Sequence, residues 1–256
     1  MIKTLKQRLA EGQSVNVMSI GPLASPKLIE IVSLYDKLHG VWIDQEHIAI
    51  SHERLELLAL ACRAVGLDAF ARVAPTDYAT VMRPMETGAN GVMAAQIRSV
   101  EQVHQVVQWA KYPPMGVRGL FLGNYESGYA TSDPSQHVKA ANRDRWLVIQ
   151  IETAEAVEAA DQIAAVDGVD CLFVGPGDLA CTLGVPGQAM HPKCLAALEK
   201  IAAAAEAAGK PWGALSKTAD HVARCRDLGC RLFSIFGDVD LVHRGFQATM
   251  DAFDVD

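Results

Sequence analysis

The 256-residue chain lacks the features of several protein classes. None of its six cysteines forms a Cys-x-x-Cys pair, so neither a zinc knuckle nor a thioredoxin-type site is indicated, and we expect packing thiols. The net charge is -7 and no basic stripe is present, which argues against a nucleic-acid partner. No apolar run approaches the roughly 20 residues of a membrane span, and the N-terminal segment lacks a signal-peptide core. We therefore expect a cytoplasmic protein that does not interact with membranes.

Short runs rich in Val and Ile alternate with helical stretches along the chain. This alternation is typical of βα units around a parallel sheet. The runs predict eight strands, at 15–20, 40–44, 69–73, 91–95, 146–151, 170–174, 211–214 and 232–236. Eight strands with right-handed crossovers, in a chain of this length, predict a single α/β domain over 1–256, a closed (β/α)8 TIM barrel.

Helices are predicted between the strands, several of them opened by a capping serine. Their ranges are 26–34, 53–65, 100–111, 154–165, 192–208, 219–228 and 239–253, with a further helix that ends near Glu86. Residues 112–145 form a long connection, and a connection of this length inside a compact domain usually has a function or is disordered. We interpret it as a lid or an interface loop with a short helix near 135–142. We expect the C-terminal helix to take part in oligomer contacts.

Polar residues follow the predicted strands at their C-terminal ends, where barrels of this type carry their reactive groups. One such residue alone is often a solvated loop end or half of a salt bridge. Residues from four strand ends are more consistent with one shared site. The second strand, for example, runs directly into the charged end of VWIDQEH. The residues so placed are Asp44, Glu46, His47, Arg72, Gln150, Glu152, Gly177 and Asp178.

These residue types indicate a particular chemistry. Glu152 and Asp178 have no Cys or His at ligand spacing, which favours a hard divalent ion, Mg²⁺ or Mn²⁺, with open coordination positions. The glycines of VGPGDL let the backbone approach a ligand, so the Gly177 and Asp178 amides could hold a small carboxylate. Arg72 can place a fixed positive charge where an oxyanion develops. His47 is the natural proton carrier, because an imidazole transfers protons near neutral pH.

The motifs WIDQEH, RVAP, GANGVM, KYPPMGVRG, QIET and DGVDCLFVGPGDLACTLG together resemble the HpcH/HpaI aldolase family of metal-dependent, class II pyruvate aldolases. The resemblance implies a (β/α)8 barrel, usually a homohexamer, that reversibly cleaves 4-hydroxy-2-oxo acids through an enolate. The products would be an aldehyde and pyruvate, or a close 2-oxo acid such as hydroxypyruvate. It also implies that Glu152 and Asp178 hold a divalent ion, Mg²⁺ or Mn²⁺, with Co²⁺ as a further candidate.

The same resemblance implies roles for single residues. His47 corresponds to the general base and Arg72 to the residue that stabilises the enolate. Gln150, the Gly177 amide and Asp178 correspond to substrate contacts. The Asp44 and Glu46 carboxylates are expected to support the site by orienting water or the imidazole.

Two positions depart from the family pattern. Glu86 stands where relatives have an aspartate that raises the basicity of the histidine, and we expect Glu86 to take this catalytic role. Ala94-Ala95-Gln96 stands where a proline commonly ends the fourth strand, which alters the wall near the aldehyde.

Three alternative functions stay open at this point. A Schiff-base aldolase needs a strand-end lysine in apolar surroundings, and the only candidate, Lys217, lies in a polar turn. A lyase that acts on a CoA thioester, like citrate lyase or malyl-CoA lyase, needs a basic surface for the phosphates, for which Arg118, Arg143 and Arg145 are candidates. A catalytically lapsed metal-binding barrel would be expected to have lost at least one member of the charged set.

Overall fold

The eight predicted strands form a closed barrel in which each strand pairs in parallel with its sequence neighbours and β8 pairs with β1. The structure, a computed structural model, describes residues 3–253. Each strand begins and ends within one residue of its predicted bounds, so the (β/α)8 prediction is confirmed. The strands are β1 (Val15–Ile20), β2 (Gly40–Asp44), β3 (Asp68–Val73), β4 (Gly91–Ala94), β5 (Trp146–Ile151), β6 (Cys171–Val174), β7 (Trp212–Leu215) and β8 (Leu232–Gly237).

Twelve helices surround and close the barrel in the described residues. After β5 and after β6 they differ from the sequence prediction. The predicted helix 154–165 is interrupted at Ala159, and a short helix follows β6 where only a turn was expected. The helices are α1 (Leu5–Ala10), α2 (Pro26–Val32), α3 (His52–Val65), α4 (Tyr78–Glu86), α5 (Val100–Ala110), α6 (Pro134–Asp144), α7 (Ala154–Glu158), α8 (Ala160–Ala165), α9 (Pro176–Thr182), α10 (Pro192–Ala207), α11 (Ala219–Asp227) and α12 (Asp238–Phe253).

The barrel interior is filled by large side chains rather than open. Phe70 and Trp146 meet edge to face with their ring centroids 4.9 Å apart, and Leu5 and Leu9 of α1 join the same cluster. A second layer of Val, Ile, Leu and Ala packs between the strands and the outer helices. Burial on both faces of the sheet explains why the strands are continuous apolar runs instead of alternating patterns. The packed interior leaves the strand ends as the place for a polar site.

Residues 112–145 pack on the outside of the barrel instead of covering its mouth. The Gly119 amide donates to the Tyr78 hydroxyl on α4 at 2.7 Å. Glu126 accepts from both Arg118 (2.6 Å) and Arg145 (3.1 Å), and Arg145 directly precedes β5. None of the residues that line the mouth cavity comes from this segment. The lid interpretation is therefore wrong, whereas the short helix is confirmed as α6 and the interface role stays a prediction.

All six cysteines are free thiols, and five of them are buried, as packing groups would be. Cys181 is exposed on α9. Across residues 3–253, no helix has the combination of length and apolar character required to cross a bilayer.

Candidate active site

A cavity of about 350 Å³ opens at the C-terminal ends of the strands. Its wall carries most of the predicted site residues, which arrive from β2, β3, β5 and the start of α9. These are Asp44, His47, Arg72, Gln150, Gly177 and Asp178. The Gln150 amide donates to the buried carboxylate of Glu152, which joins Glu152 to the same site. The convergence expected from the strand ends is present in the geometry.

Arg72 is held rigidly on one side of the cavity. Its Nε donates to Asp44 Oδ1 at 3.0 Å and its Nη2 to Asp44 Oδ2 at 2.7 Å, a bidentate pair between neighbouring strands. The guanidinium also lies 4.6 Å from the centre of the Trp42 ring. Trp42 is fixed in turn, because its Nε1 donates to Ser234 Oγ across the barrel at 2.9 Å. The remaining N–H groups of Arg72 are thus presented in a fixed direction.

Glu46 lies between Arg72 and His47. Its Oε2 is 3.3 Å from Arg72 Nε and 3.8 Å from His47 Nε2. The Glu46 side chain is nearly buried, whereas that of His47 is 56% exposed at the cavity rim. Asp44 Oδ1 accepts from the backbone amides of Glu46 (3.0 Å) and His47 (3.4 Å), which folds the residues after β2 back over the strand end. Asp44 therefore organises Arg72 and this loop, and Glu46 contacts the imidazole.

Glu152, which directly follows β5, is a fully buried carboxylate. Its Oε1 accepts from the backbone N–H of Gln96 at 2.8 Å. The backbone of Gln96 is in the left-handed region, with φ of 55°. A side chain at Gly175 would collide with both Glu152 and Gln150, so glycine is required there. Burial, reinforced by the negative charges of Glu46 and Asp178, raises the pKa of Glu152 to about 7 against the lowering effect of the Gln96 amide.

The oxygen atoms around Glu152 are suitable ligands for a hard divalent cation. Two buried oxygens, Gln150 Oε1 and Glu46 Oε2, have no hydrogen-bond donor of suitable geometry. Both of these atoms are oxygens, the ligand type that a hard divalent cation prefers, and the negative charges of Glu46 and Asp178 act against the ionised form of Glu152. No group of three or more His, Cys, Asp or Glu side chains lies at metal-binding spacing within residues 3–253. A cation here would therefore take the rest of its ligands from water and substrate.

Glu86 is not part of this constellation. It ends α4, the helix that leaves the mouth after β3 and returns to the opposite end of the barrel. Its charged neighbours there are Arg118, Glu126 and Arg83, and burial raises the pKa of its carboxyl. Glu86 and His47 are therefore not paired within one chain, and the catalytic role of Glu86 stays a prediction. The carboxylate beside His47 is that of Glu46, only one residue away in sequence.

Several cavity residues were not assigned from the sequence. Ser19, Trp42, Asp238 and Asp240 line the wall, and Lys217, considered only as a Schiff-base lysine, lies among them. A weak signal existed, because each lies at or just after a predicted strand. Their side chains carry no motif that separates them from ordinary loop residues.

The basic residues considered for coenzyme phosphates lie away from the mouth. Arg118 is buried against Glu126, and Arg145 shares the same carboxylate. Arg143 is exposed and pairs with its neighbour Asp144 at 2.6 Å. These three residues therefore supply no cationic surface beside the cavity.

A closed (β/α)8 barrel with charged and amide side chains gathered at the C-terminal strand ends has the architecture of a barrel enzyme. Residues 20–243 match the family model described as HpcH/HpaI aldolase/citrate lyase, and the chain belongs to this family. It is accordingly a carbon–carbon lyase. This finding confirms the resemblance inferred from the sequence motifs.

Individual relatives agree with this assignment. The chain is 32% identical to a 2-dehydro-3,6-dideoxy-6-sulfogluconate aldolase of Pseudomonas putida over 200 residues, which is 78% of each protein. It is 32% identical to a pyruvate aldolase of Rhizobium etli over 192 residues, or 71% of this chain and 75% of the relative. The crystal structure of an HpcH/HpaI aldolase from Desulfitobacterium hafniense superposes with a TM-score of 0.92 at 28% identity, over 98% of this chain and 96% of that one.

Proposed function

We propose that this lyase is a divalent-metal-dependent aldolase. It reversibly cleaves 4-hydroxy-2-oxo acids into an aldehyde and pyruvate, or a close 2-oxo acid such as hydroxypyruvate. The observation that carries the proposal is the placement of two fixed groups at one site. The Asp44-anchored guanidinium of Arg72 lies on the cavity wall, and the buried carboxylate of Glu152 accepts from the wall residue Gln150.

Glu152 and Asp178 are the proposed protein ligands of Mg²⁺ or Mn²⁺, with Co²⁺ as a further candidate. When bound, such an ion acts as a Lewis acid toward a 2-oxo acid. Gln150, whose Oε1 is buried without a partner, and the Gly177 amide are the proposed contacts for the substrate's oxygens. Gly175, which lines the cavity, lies directly against the side chains of Glu152 and Gln150 and leaves room for both because it has no side chain.

His47 and Arg72 carry the proton and charge movements of the cleavage. The His47 imidazole takes the proton of the C4 hydroxyl, the C3–C4 bond breaks, and C4 becomes the aldehyde carbon. The bonding pair passes to C3 and C2, so that negative charge develops on the C2 oxygen. Arg72 meets this oxygen with N–H donors that are already oriented. The imidazolium then returns its proton to C3, and Glu46, 3.8 Å from His47 Nε2, stabilises the charged imidazolium in the interval.

The alternatives lose their structural support. Lys217 pairs with Asp240 at 3.1 Å, and its side chain is 58% exposed, which is unlike the apolar surroundings that a Schiff-base lysine needs. The arginines considered for a CoA thioester do not line the cavity. A lapsed barrel is disfavoured because His47, Arg72, Gln150 and Asp178 all face one cavity.

The proposal is tested by exchange of the methyl protons of pyruvate in D₂O, followed by NMR with and without added Mn²⁺. We expect exchange that depends on the metal and is lost with a chelator, followed by aldol addition when an aldehyde is supplied. Exchange that is equally fast in chelator-treated enzyme would contradict the metal-dependent mechanism.

We also propose that the protein is a homo-oligomer, with a hexamer favoured by the family resemblance. Helix α12 carries an exposed apolar stripe at helical spacing, and the exposed fractions of Phe246 and Phe253 are 69% and 73%. The other members of the stripe are Val239, Val242 and Met250. A stripe of this length in water is costly, and a second copy of the chain would cover it.

A further inference from the structure

We propose that the wall of the cavity formed after β7 and β8 is a subsite for the aldehyde, and that it selects aldehydes with hydroxyl groups over aldehydes with an anionic end. The central pair of this wall is Lys217 and Asp240. The inference rests on the proposed aldolase function and adds the substrate class, which neither the family nor the relatives define for this chain.

Lys217 and Asp240 form an ordered polar pair on the wall. Lys217 Nζ lies 3.1 Å from Asp240 Oδ1, and Asp240 Oδ2 accepts from the Gly237 amide at 3.2 Å. The backbone of Lys217 is held from a second direction, because Arg244 of α12 donates to its carbonyl at 3.2 Å. Both side chains line the same cavity as Arg72 and Asp178. The pair is therefore anchored, yet open to a ligand.

The aldehyde is expected at this wall because the other strand ends around the cavity are occupied or closed. The β2 and β3 side holds Asp44 and Arg72, and the β5 and β6 side holds the proposed metal ligands. The β4 side is closed, since Ala95 is buried and the Gln96 amide is bonded to Glu152. A 2-oxo acid held between the two charged sides leaves only the β7, β8 and β1 ends for the rest of the substrate.

The charges of the wall decide what that part of the substrate can be. Besides Asp240, the wall contains Asp238, whose Oδ2 accepts from the amides of Gly21 (2.8 Å) and Leu23 (2.9 Å). The residues of this wall that line the cavity thus carry two carboxylates and one ammonium, which is already paired, while the Arg244 guanidinium is bonded to the Lys217 carbonyl. An anionic end would have to displace Asp240 from Lys217 and face both carboxylates. A hydroxyl group can accept from Lys217 and donate to Asp240 while the pair stays intact.

The residue that precedes Lys217 is also fixed. Ser216 Oγ lies 2.7 Å from His221 Nδ1, and both residues are buried behind the wall. Lys217 therefore begins from a fixed backbone position, which limits how far its ammonium can move toward a distant anion.

The test compares three aldehydes with pyruvate as donor and saturating Mn²⁺: glyceraldehyde, succinic semialdehyde and butanal. We expect wild-type kcat/KM for glyceraldehyde to exceed that for succinic semialdehyde by about tenfold or more, the scale of one hydrogen bond to a charged group. Asp240→Asn removes one carboxylate and releases Lys217, so the ratio should shift about tenfold toward succinic semialdehyde. Lys217→Met should lower the ratio of glyceraldehyde to butanal by a similar factor. Lys139→Met on exposed α6 is the matched control and should keep all ratios.

Each outcome has one meaning. Wild-type preference for succinic semialdehyde, or ratios that stay constant in both variants while the melting temperature is unchanged, would overturn the subsite. Pyruvate proton exchange in wild-type enzyme without any aldehyde distinguishes a failure of the proposed subsite from a failure of the proposed aldolase function. If exchange is present and the ratios fail to move, only the subsite is wrong. If exchange is absent, the aldolase function is wrong and the subsite is rejected with it.

Discussion

Arg72 and Asp44 are register partners at the ends of β3 and β2, and their side chains meet in a bidentate contact of 3.0 and 2.7 Å. The contact joins two neighbouring strands at the point where the sheet ends. Glu46 adds a second carboxylate 3.3 Å from Arg72 Nε. The guanidinium is thus oriented before a substrate arrives, which is the condition under which a fixed charge lowers a barrier most.

Replacement of Arg72 by lysine tests whether this orientation matters. The Arg72→Lys variant keeps the positive charge but loses the planar fork that matches Asp44. We expect kcat for retro-aldol cleavage to fall by about 10² to 10³, as for a lost oxyanion donor. Steady-state kinetics measure this. Arg98→Lys, at an exposed pair with Glu155, is the control and should keep wild-type kcat. An unchanged rate in Arg72→Lys would leave the guanidinium with a purely structural role.

Substitution of Glu152 and Asp178 tests whether these residues bind the divalent ion. Glu152→Gln and Asp178→Asn keep the side-chain size but remove one charge each, so we expect the affinity for Mn²⁺ to fall by about tenfold or more, since a hard cation prefers charged oxygens. Titration calorimetry gives the affinity without any turnover. In wild-type protein, Mn²⁺ at 100 times its Kd should stabilise the fold by about 2.7 kcal/mol, and this gain should shrink in both variants.

Glu155→Gln is the matched control for Glu152, because Glu155 lies three residues further along on the exposed start of α7. Its affinity for Mn²⁺ should equal that of the wild type. Equal affinity in all four proteins would place the ion elsewhere, or remove it from the mechanism.

The sequence predicts the barrel well for a physical reason. Strands such as Trp146–Ile151 and Asp68–Val73 are buried on both faces, so they are continuous apolar runs with polar residues at their ends. Helix bounds depend on weaker local signals. The break at Ala159 has no proline or glycine to announce it, and only the backbone at φ -93° and ψ 9° shows it.

The site was predictable wherever a strand carried the residue. Arg72 and Gln150 belong to strands, and the parallel sheet brings their ends together whatever the loops do. The role predicted for Glu86 came from a motif position, and a motif does not tell at which end of the barrel a helix terminates. The contact of Lys217 with Asp240 joins residues that follow different strands, so it depends on loop geometry that local sequence does not encode.

A charge placed on α12 tests the oligomer. Phe246→Asp puts a carboxylate in the middle of the exposed apolar stripe, where burial against a second copy would desolvate it at a cost of several kcal/mol, on the order of a buried unpaired charge. We expect the variant to sediment as a smaller species than the wild type. Ala248→Asp, two residues along the same exposed helix and on another face, should keep the wild-type assembly. If wild-type protein is already a monomer at micromolar concentration, the interface is wrong.

The last prediction concerns stability against pH and the buried imidazole of His221. Its Nδ1 is 2.7 Å from Ser216 Oγ, and its Nε2 is buried without a partner. Burial lowers the pKa of His221 below 6.5 in the folded protein. As the pH falls through 6.5, the unfolded chain takes up this proton before the folded chain does, so the free energy of unfolding decreases. One such group contributes a slope of at most about 1.4 kcal/mol per pH unit.

Urea unfolding between pH 5 and pH 8 measures the effect as a difference between proteins. In His221→Gln the titrating group is absent, so the slope below pH 6.5 should be smaller than in the wild type, even if the variant is less stable at every pH. His104→Gln, on the exposed face of α5, is the control and should follow the wild-type slope. Parallel curves for wild type and His221→Gln would mean that His221 binds its proton equally well in both states.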